Sequence, residues 1–189
     1  MIKVIIAGFL ATVSAVLAQT QIPVSRGITY HATPSAVMVY PGDFKNAGGA
    51  ALALGATINE VHSVEAEAIS FNTNNPGGGD DYRFTPVLLT YKYNFVFGGK
   101  FSAVAGGSVG ATFEKWDFFV PSTYNSGSPG YYYSVSQTAF TSGLVGGVSY
   151  AISSRVSVDA NAHVLRLEKS DVTTAGNMVL VSLGIKVRF

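Results

Sequence analysis

The end of the chain, from Val179 to Phe189, alternates strictly between two kinds of side chain. Every second residue is a large apolar one, up to the terminal Phe189, and the residues between them include Lys186 and Arg188. Alternation with period two predicts a β-strand. A soluble core could not take the two unpaired cations on the inner face. The pattern therefore indicates a strand with lipid on one side and a polar interior on the other.

The same period recurs in seven earlier segments. They span residues 28–40, 47–59, 61–72, 84–97, 100–116, 134–151 and 155–168. Together with the last strand they predict an all-β fold, an eight-stranded antiparallel up-and-down transmembrane barrel. Two points stay open. Pro34 interrupts the first segment, so residues 28–40 need not form the closing strand. The alternation is lost at Leu165 and Leu167, which fits either a bulge or a strand that projects above the membrane.

The connections between these segments alternate in length, as a barrel with both termini in the periplasm requires. Short turns fall at Glu60, at residues 98–99 and at 153–154, whereas the longer connections would face the outside. The third long connection is rich in aromatic residues. We assign Trp116, at its start, to the aromatic girdle at the level of the lipid headgroups.

The first eighteen residues form a separate segment. They contain one Lys near the start, an apolar run and a small-residue ending, the pattern of a signal peptide cleaved before Gln19. Residues 19–189 then form a single barrel domain. The chain has no Cys, which excludes a lipid-modified N-terminus. Its net charge of +1 makes nucleic acid an unsuitable partner.

The chain end also carries a recognisable motif, formed by Ser182, Gly184, Val187 and Phe189. It resembles the C-terminal assembly signal of outer-membrane proteins, and the mature chain resembles the small OmpA-like and opacity-type outer-membrane barrels without a peptidoglycan-binding domain. The resemblance implies an integral, porin-like protein in the outer membrane of a Gram-negative-type bacterium. It also implies contact with outer-membrane lipid and with the barrel-assembly machinery through the last strand. An extracellular surface ligand would be a further partner, of unknown identity.

The predicted inner face carries charges of both signs. They are Glu65, Glu67, Lys92, Glu114, Arg155, Asp159, His163, Lys186 and Arg188. Pairing about the loop centres places Asp159 opposite Lys186 and Glu65 diagonal to Lys92. A narrow eight-stranded barrel has room for little beyond side chains, so we interpret these residues as a mutually satisfied network that fills the lumen. The alternative is a charge-lined passage.

No catalytic, metal or cofactor site is predicted. His62 and Ser63 are neighbours on one strand, so their side chains point to opposite faces and cannot form a catalytic pair. We therefore expect a structural or surface-interaction role. The first alternative is a narrow channel for ions or small solutes, including apolar ones. The second is a secreted soluble barrel with an internal ligand, which predicts an apolar interior and a polar exterior.

Overall fold

The computed structural model describes residues 27–42, 45–74, 81–97, 99–120, 131–168 and 176–189. The predicted signal peptide and the tips of the long connections lie outside these residues. The strands are β1 (Ile28–Tyr40), β2 (Ala47–Ile58), β3 (His62–Asn74), β4 (Asp81–Val96), β5 (Phe101–Val120), β6 (Tyr131–Ala151), β7 (Val156–Leu167) and β8 (Asn177–Arg188). They form a closed barrel in chain order with antiparallel neighbours, and the predicted eight-stranded architecture is confirmed.

The closing strand is β1. It pairs with β2 on one side and with β8 on the other. Pro34 points outward and is exposed, and the pairing with β8 continues on both sides of it, at Ala32 with Val187 and at Ser35 with Gly184. A proline lacks the N–H that a ladder needs, so it interrupts this pairing locally without ending the strand.

The short turns lie at the end of the barrel where β1 begins and β8 ends, which we call the short-turn end. Asn59 and Glu60 both have positive φ, 52° and 60°. Two successive residues of this kind form the type I′ turn whose twist matches that of the flanking strands. The opposite end, toward residues 43–44, 75–80, 121–130 and 169–175, is the long-loop end.

The strand β7 contains no bulge. Its pairing with β6 and with β8 continues in constant register to Leu167 and to Arg166, respectively. Leu165 and Leu167 are buried in the lumen while Arg166 between them is exposed. The alternation therefore persists, and the polarity of the two faces changes instead. Of the two interpretations that the sequence left open, the bulge was wrong.

The assignment of Trp116 to the outer girdle was also wrong. Its side chain points inward and is buried, and its ring meets that of Tyr82 edge-on with centroids 5.7 Å apart. Both belong to an apolar cluster that fills the long-loop half of the lumen. The cluster comprises Val37, Val39, Ala47, Ala51, Ile69, Phe71, Tyr82, Phe84, Leu88, Trp116, Ala139, Leu165, Leu167, Met178 and Leu180.

The exterior of the barrel is a broad band of exposed apolar side chains. On β4 and directly after it this band runs from Val87 through Leu89 and Tyr91 to Phe97. Ten steps of about 3.3 Å along a strand tilted by about 40° span roughly 25 Å, the height of the apolar band on membrane barrels. The exterior is therefore a lipid-facing surface. No helix within the described ranges is long and apolar enough to cross a membrane.

Candidate functional site in the barrel lumen

The short-turn half of the lumen holds a cluster of buried charges around Glu65. The Nζ of Lys92 donates to Glu65 Oε2 at 2.5 Å, and His31 Nε2 lies 3.0 Å from Glu65 Oε1. Lys186 approaches the same carboxylate at 3.9 Å. Glu65 lies opposite Thr90 in the β3–β4 ladder and Lys92 opposite Ser63, so the acid and the lysine are diagonal neighbours, as predicted.

Asp159 is the second buried acid. Its Oδ2 forms a 2.7 Å ion pair with Lys186, and its Oδ1 accepts bonds from the hydroxyls of Ser149 and Ser157 at 2.7 and 3.1 Å. The predicted contact between Asp159 and Lys186 is thus present. The predicted register was wrong by two residues, because Lys186 lies opposite Ser157 and reaches Asp159 diagonally.

Glu67 and His163 form a looser pair deeper in the lumen. Both are buried, and His163 Nε2 lies 3.7 Å from Glu67 Oε2. Among the described residues, neither of these two atoms nor His163 Nδ1 has a hydrogen-bond partner. Two lysines, two histidines and three acids thus share the short-turn half of the lumen. We call this set, His31, Glu65, Glu67, Lys92, Asp159, His163 and Lys186, the lumen charge cluster.

Three residues predicted for this network lie elsewhere. Glu114 is buried toward the long-loop end, where it accepts a 2.6 Å bond from Gln137 Nε2. Arg155 precedes β7 and is exposed in the turn, because β7 begins one residue later than predicted. Arg188 ends β8, is half-buried and lines the mouth of the barrel. The cluster is therefore more compact than the alternation suggested.

His31 was not among the predicted residues, although the same alternation that places Tyr30 outward turns His31 inward. The hydroxyl pairs that bridge neighbouring strands within the barrel were not predicted either. These pairs are Thr57–Ser63 at 2.8 Å, Thr90–Ser108 at 2.9 Å and Thr112–Thr141 at 2.6 Å. Because buried polar groups need partners, such pairs let uncharged strands contribute to a polar lumen.

Gly55 makes room for the contact between His31 and Glu65. A Cβ at this position would lie 2.9 Å from His31 Nε2, 2.6 Å from Glu65 Cγ and 2.5 Å from the carbonyl oxygen of Val64. Gly55 does not need an unusual φ here, and the absence of a side chain is what matters.

A cavity of about 360 Å³ opens at the short-turn end. Its lining includes Thr57, Asn94, Lys100, Lys186 and Arg188, and no member of the apolar cluster. A small solute that enters the cavity from the short-turn end can therefore reach Lys186. The apolar cluster fills the lumen on the far side of the lumen charge cluster.

The exterior histidine has a different environment. His62 is exposed on the outer face, where its Nδ1 lies 2.7 Å from the hydroxyl of Tyr91, while Ser63 is buried in the lumen. The predicted separation of the two residues is confirmed. Within the described ranges, no group of three or more His, Cys, Asp or Glu side chains could hold a metal ion.

A closed eight-stranded barrel with an apolar exterior and a charged interior defines the class of integral membrane barrels. No protein-family model matches the chain, and no curated protein sequence does so either. Solved structures of outer-membrane proteins, by contrast, align with the chain. A major outer membrane protein from Thermus thermophilus aligns with a TM-score of 0.65 and 13% identity over 87% of this chain and 100% of that one.

Two further barrels are similar. Neisserial surface protein A has a TM-score of 0.62 and 17% identity, over 86% of this chain and 97% of that chain. Ail, the attachment invasion locus protein of Yersinia pestis, has a TM-score of 0.56 and 16% identity, over 87% and 100%. At these identities the likeness is one of fold. The fold is that of small eight-stranded outer-membrane barrels, which is the fold that the resemblance to OmpA-like and opacity-type barrels implied.

Proposed function

We propose that this chain is an integral outer-membrane barrel with a closed lumen, and that its role is structural or lies in contacts made at the long-loop end. The observation that carries the proposal is the apolar cluster. Val39, Leu165 and Leu180 within it have no exposed surface at all. A passage for ions would have to cross this packed apolar region, where the desolvation of a charge is very costly.

The charge cluster supports the same proposal from the other half of the lumen. Glu65 and Asp159 are held by short ion pairs with lysines, and serine hydroxyls satisfy further lone pairs of Asp159. These short pairs join neighbouring strands, and the longer contacts of Lys186 with Glu65 and of His163 with Glu67 connect strands across the lumen. The cluster thus acts as a filling of the barrel, and we propose no enzymatic role for its histidines.

The long-loop end offers the surface for contacts. β5 and β6 run beyond the apolar band, and Tyr133 on this extension exposes 57% of its surface. Ail, a barrel of similar fold, has been crystallised with the heparin analogue sucrose octasulfate. We propose that extracellular partners of this chain bind at its long-loop end.

In this proposal the chain is exported with a signal peptide and assembled into the outer membrane through its C-terminal motif. Residues 1–18 would be removed as a signal peptide before Gln19. The motif of Ser182, Gly184, Val187 and Phe189 would be bound by the assembly machinery, and its two apolar members are exposed on the outer face, where a partner can reach them.

Single-channel recording on refolded protein in a planar bilayer tests the closed lumen. We expect no steady conductance from the unmodified protein, with the folded fraction measured by its heat-dependent shift in electrophoresis. A steady conductance that changes on Glu65→Gln or Lys186→Met substitution would overturn the proposal and favour the channel. A soluble protein without a heat-dependent shift would favour the secreted ligand-binding barrel instead.

A further inference from the structure

The outward side chains change in the same order along two neighbouring strands, at the upper edge of the apolar band. On β4, Val87 is followed toward the long-loop end by Thr85, Arg83 and Asp81. On β5, Ala111 is followed by Phe113, Lys115 and Asp117. On both strands the outward side chains thus pass from apolar residues to a cation and then to an acid, with Thr85 before the cation on β4.

The two cations are direct neighbours. Arg83 pairs with Lys115 in the β4–β5 ladder, so the two side chains leave the same face side by side. Like charges directly opposite each other destabilise a strand pair unless an anion compensates them. Among the described residues, Arg83 has no carboxylate in salt-bridge distance, and its Nε donates to Asn72 at 3.2 Å. Lys115 has only Asp117, at 3.4 Å, in an exposed pair.

Exposed pairs of this kind contribute little to stability, so the Lys115 ammonium is readily available to another anion. Asp117 is in addition engaged by the hydroxyl of Ser134 on β6. The two nearby outward acids, Asp81 and Asp117, both lie on the side of the cations away from the apolar band, whereas the side toward the band carries Thr85 and Phe113.

A groove of about 330 Å³ lies at this point on the outer surface. We call it the outer groove, and its lining comprises Arg83, Thr85, Phe113, Lys115, Ser136 and Thr138, together with Glu114 and Gln137. Phe113 at its lower side is exposed, like the apolar band below it. Lys115 lies two residues above Phe113, a height of about 5 Å on a tilted strand. Because the exposed apolar side chains end at Phe113, we expect the headgroups of a bilayer to begin at the height of Lys115.

We propose that the outer groove binds the phosphate of a phosphorylated lipid headgroup in the leaflet at the long-loop end. Arg83 and Lys115 bind the phosphate oxygens, and the hydroxyls of Thr85, Ser136 and Thr138 are placed for sugar or glycerol hydroxyls. The acyl chains continue down the apolar band beside Phe113. The inference goes beyond the proposed closed lumen and rests only on the placement of the barrel in a membrane.

The test uses the full mature chain in phosphatidylcholine nanodiscs that contain lipid A, an acylated disaccharide with two phosphates. Native mass spectrometry counts the lipid A that stays bound after detergent release. Each cation near an anionic lipid surface contributes about a factor of five to binding. The variant Arg83→Gln/Lys115→Gln is therefore expected to bind about thirtyfold more weakly.

The matched control is Lys100→Gln/Arg155→Gln, which removes two exposed cations at the short-turn end. It should retain lipid A like the unmodified chain. As a second variant, Ser136→Asp places an acid directly opposite Lys115 and should weaken binding without removing a cation. We call Arg83→Gln/Lys115→Gln the groove variant. If the groove variant and the control lost bound lipid A equally, the proposal would be overturned. It would also be overturned if both the groove variant and Ser136→Asp retained lipid A fully.

Two further binding measurements identify the chemistry of the ligand. Lipid A without its phosphates should be retained no better by the unmodified chain than by the groove variant, and equal retention with and without phosphates would overturn the role of the cations. Inorganic phosphate, titrated in detergent, should bind far more weakly than the lipid. Equal binding would make the groove a site for free phosphate and overturn the lipid assignment. Every variant should show the normal heat-dependent shift in electrophoresis. This shift shows that the barrel has folded, so a loss of lipid binding is not due to misfolding.

Discussion

Replacing Glu65 by Gln removes one charge from the centre of the lumen and keeps the shape of the side chain. His31, Lys92 and Lys186, which lie 3.0, 2.5 and 3.9 Å from the carboxylate oxygens of Glu65, then face a neutral amide. Lys186 keeps its ion pair with Asp159, whereas the described residues offer Lys92 no second ion pair. Breaking a buried pair leaves an uncompensated charge, at a cost of about 3–5 kcal/mol. We expect Glu65→Gln to lower the free energy of unfolding by about this amount.

The assay is urea unfolding of the refolded chain in lipid vesicles, followed by the fluorescence of Trp116, the single tryptophan. Trp116 lies in the apolar cluster, away from the substitution, so it reports global unfolding. Glu60→Gln, in the exposed turn at the same end, is the matched control and should change stability by less than about 0.5 kcal/mol.

A double-mutant cycle shows whether the cost belongs to the pair. Lys92→Met added to Glu65→Gln removes the charge that was left alone, so the double variant should be more stable than the sum of the single effects by at least about 1 kcal/mol. If Glu65→Gln costs less than about 1 kcal/mol, or if the two effects simply add, the reasoning about a tightly coupled buried cluster is refuted.

Three other variants test other parts of the barrel. Leu165→Ala, at a side chain with no exposed surface, should destabilise by about 2–5 kcal/mol in the same urea assay, because it leaves a cavity. A smaller loss would mean that the lumen is loosely packed there. Gly55→Val should abolish the heat-shifted form in electrophoresis, because its side chain would collide with His31, whereas Gly48→Ala has open space and should not. Equal behaviour of the two would contradict the close approach. Deletion of Phe189 should reduce the amount of protein in the membrane more than it reduces folding in detergent. Normal membrane levels would count against the assembly signal.

The strands could be predicted because lipid imposes period two on every one of them. On the last strand, alternation alone places Val181, Leu183 and Ile185 on the outer face, and all three are exposed. Register is a harder problem. The pairing of Asp159 with Lys186 was derived by assuming a symmetric loop between β7 and β8, and the actual ladder differs by two residues. A shift by an even number keeps every side chain on its face, so alternation cannot detect it.

The interior could be predicted only where it is polar. We expected a polar lumen throughout, and this expectation made Leu165 look like a break in the pattern and Trp116 look like a girdle residue. Both side chains follow the alternation and lie inside. For the charged residues near the strand ends, the prediction that they lie in the lumen failed for another reason. Arg155 keeps the right parity but lies outside the strand, and parity says nothing about where a strand begins.

The change of polarity along the strands has a single physical cause. Where the exterior of the barrel meets lipid, it must be apolar, and the interior can hold charges such as Glu65. Toward the long-loop end the exterior is polar, with Arg83 on β4 and Arg166 on β7, and there the inward neighbours are Phe84 and Leu167. A strand surrounded by water needs an apolar core, as in a soluble barrel.

The position at which the outer face becomes charged therefore marks the membrane boundary without reference to any lipid. On β4 and β5 the outer face becomes charged at the outer groove, between Thr85 and Arg83 and between Phe113 and Lys115, whereas the inner face of β4 is already apolar from Leu88. The same boundary accounts for the apolar cluster that fills the lumen toward the long-loop end. The core that stabilises the projecting part of the barrel is also what fills its interior, so opening a passage there would remove the packing on which that part depends.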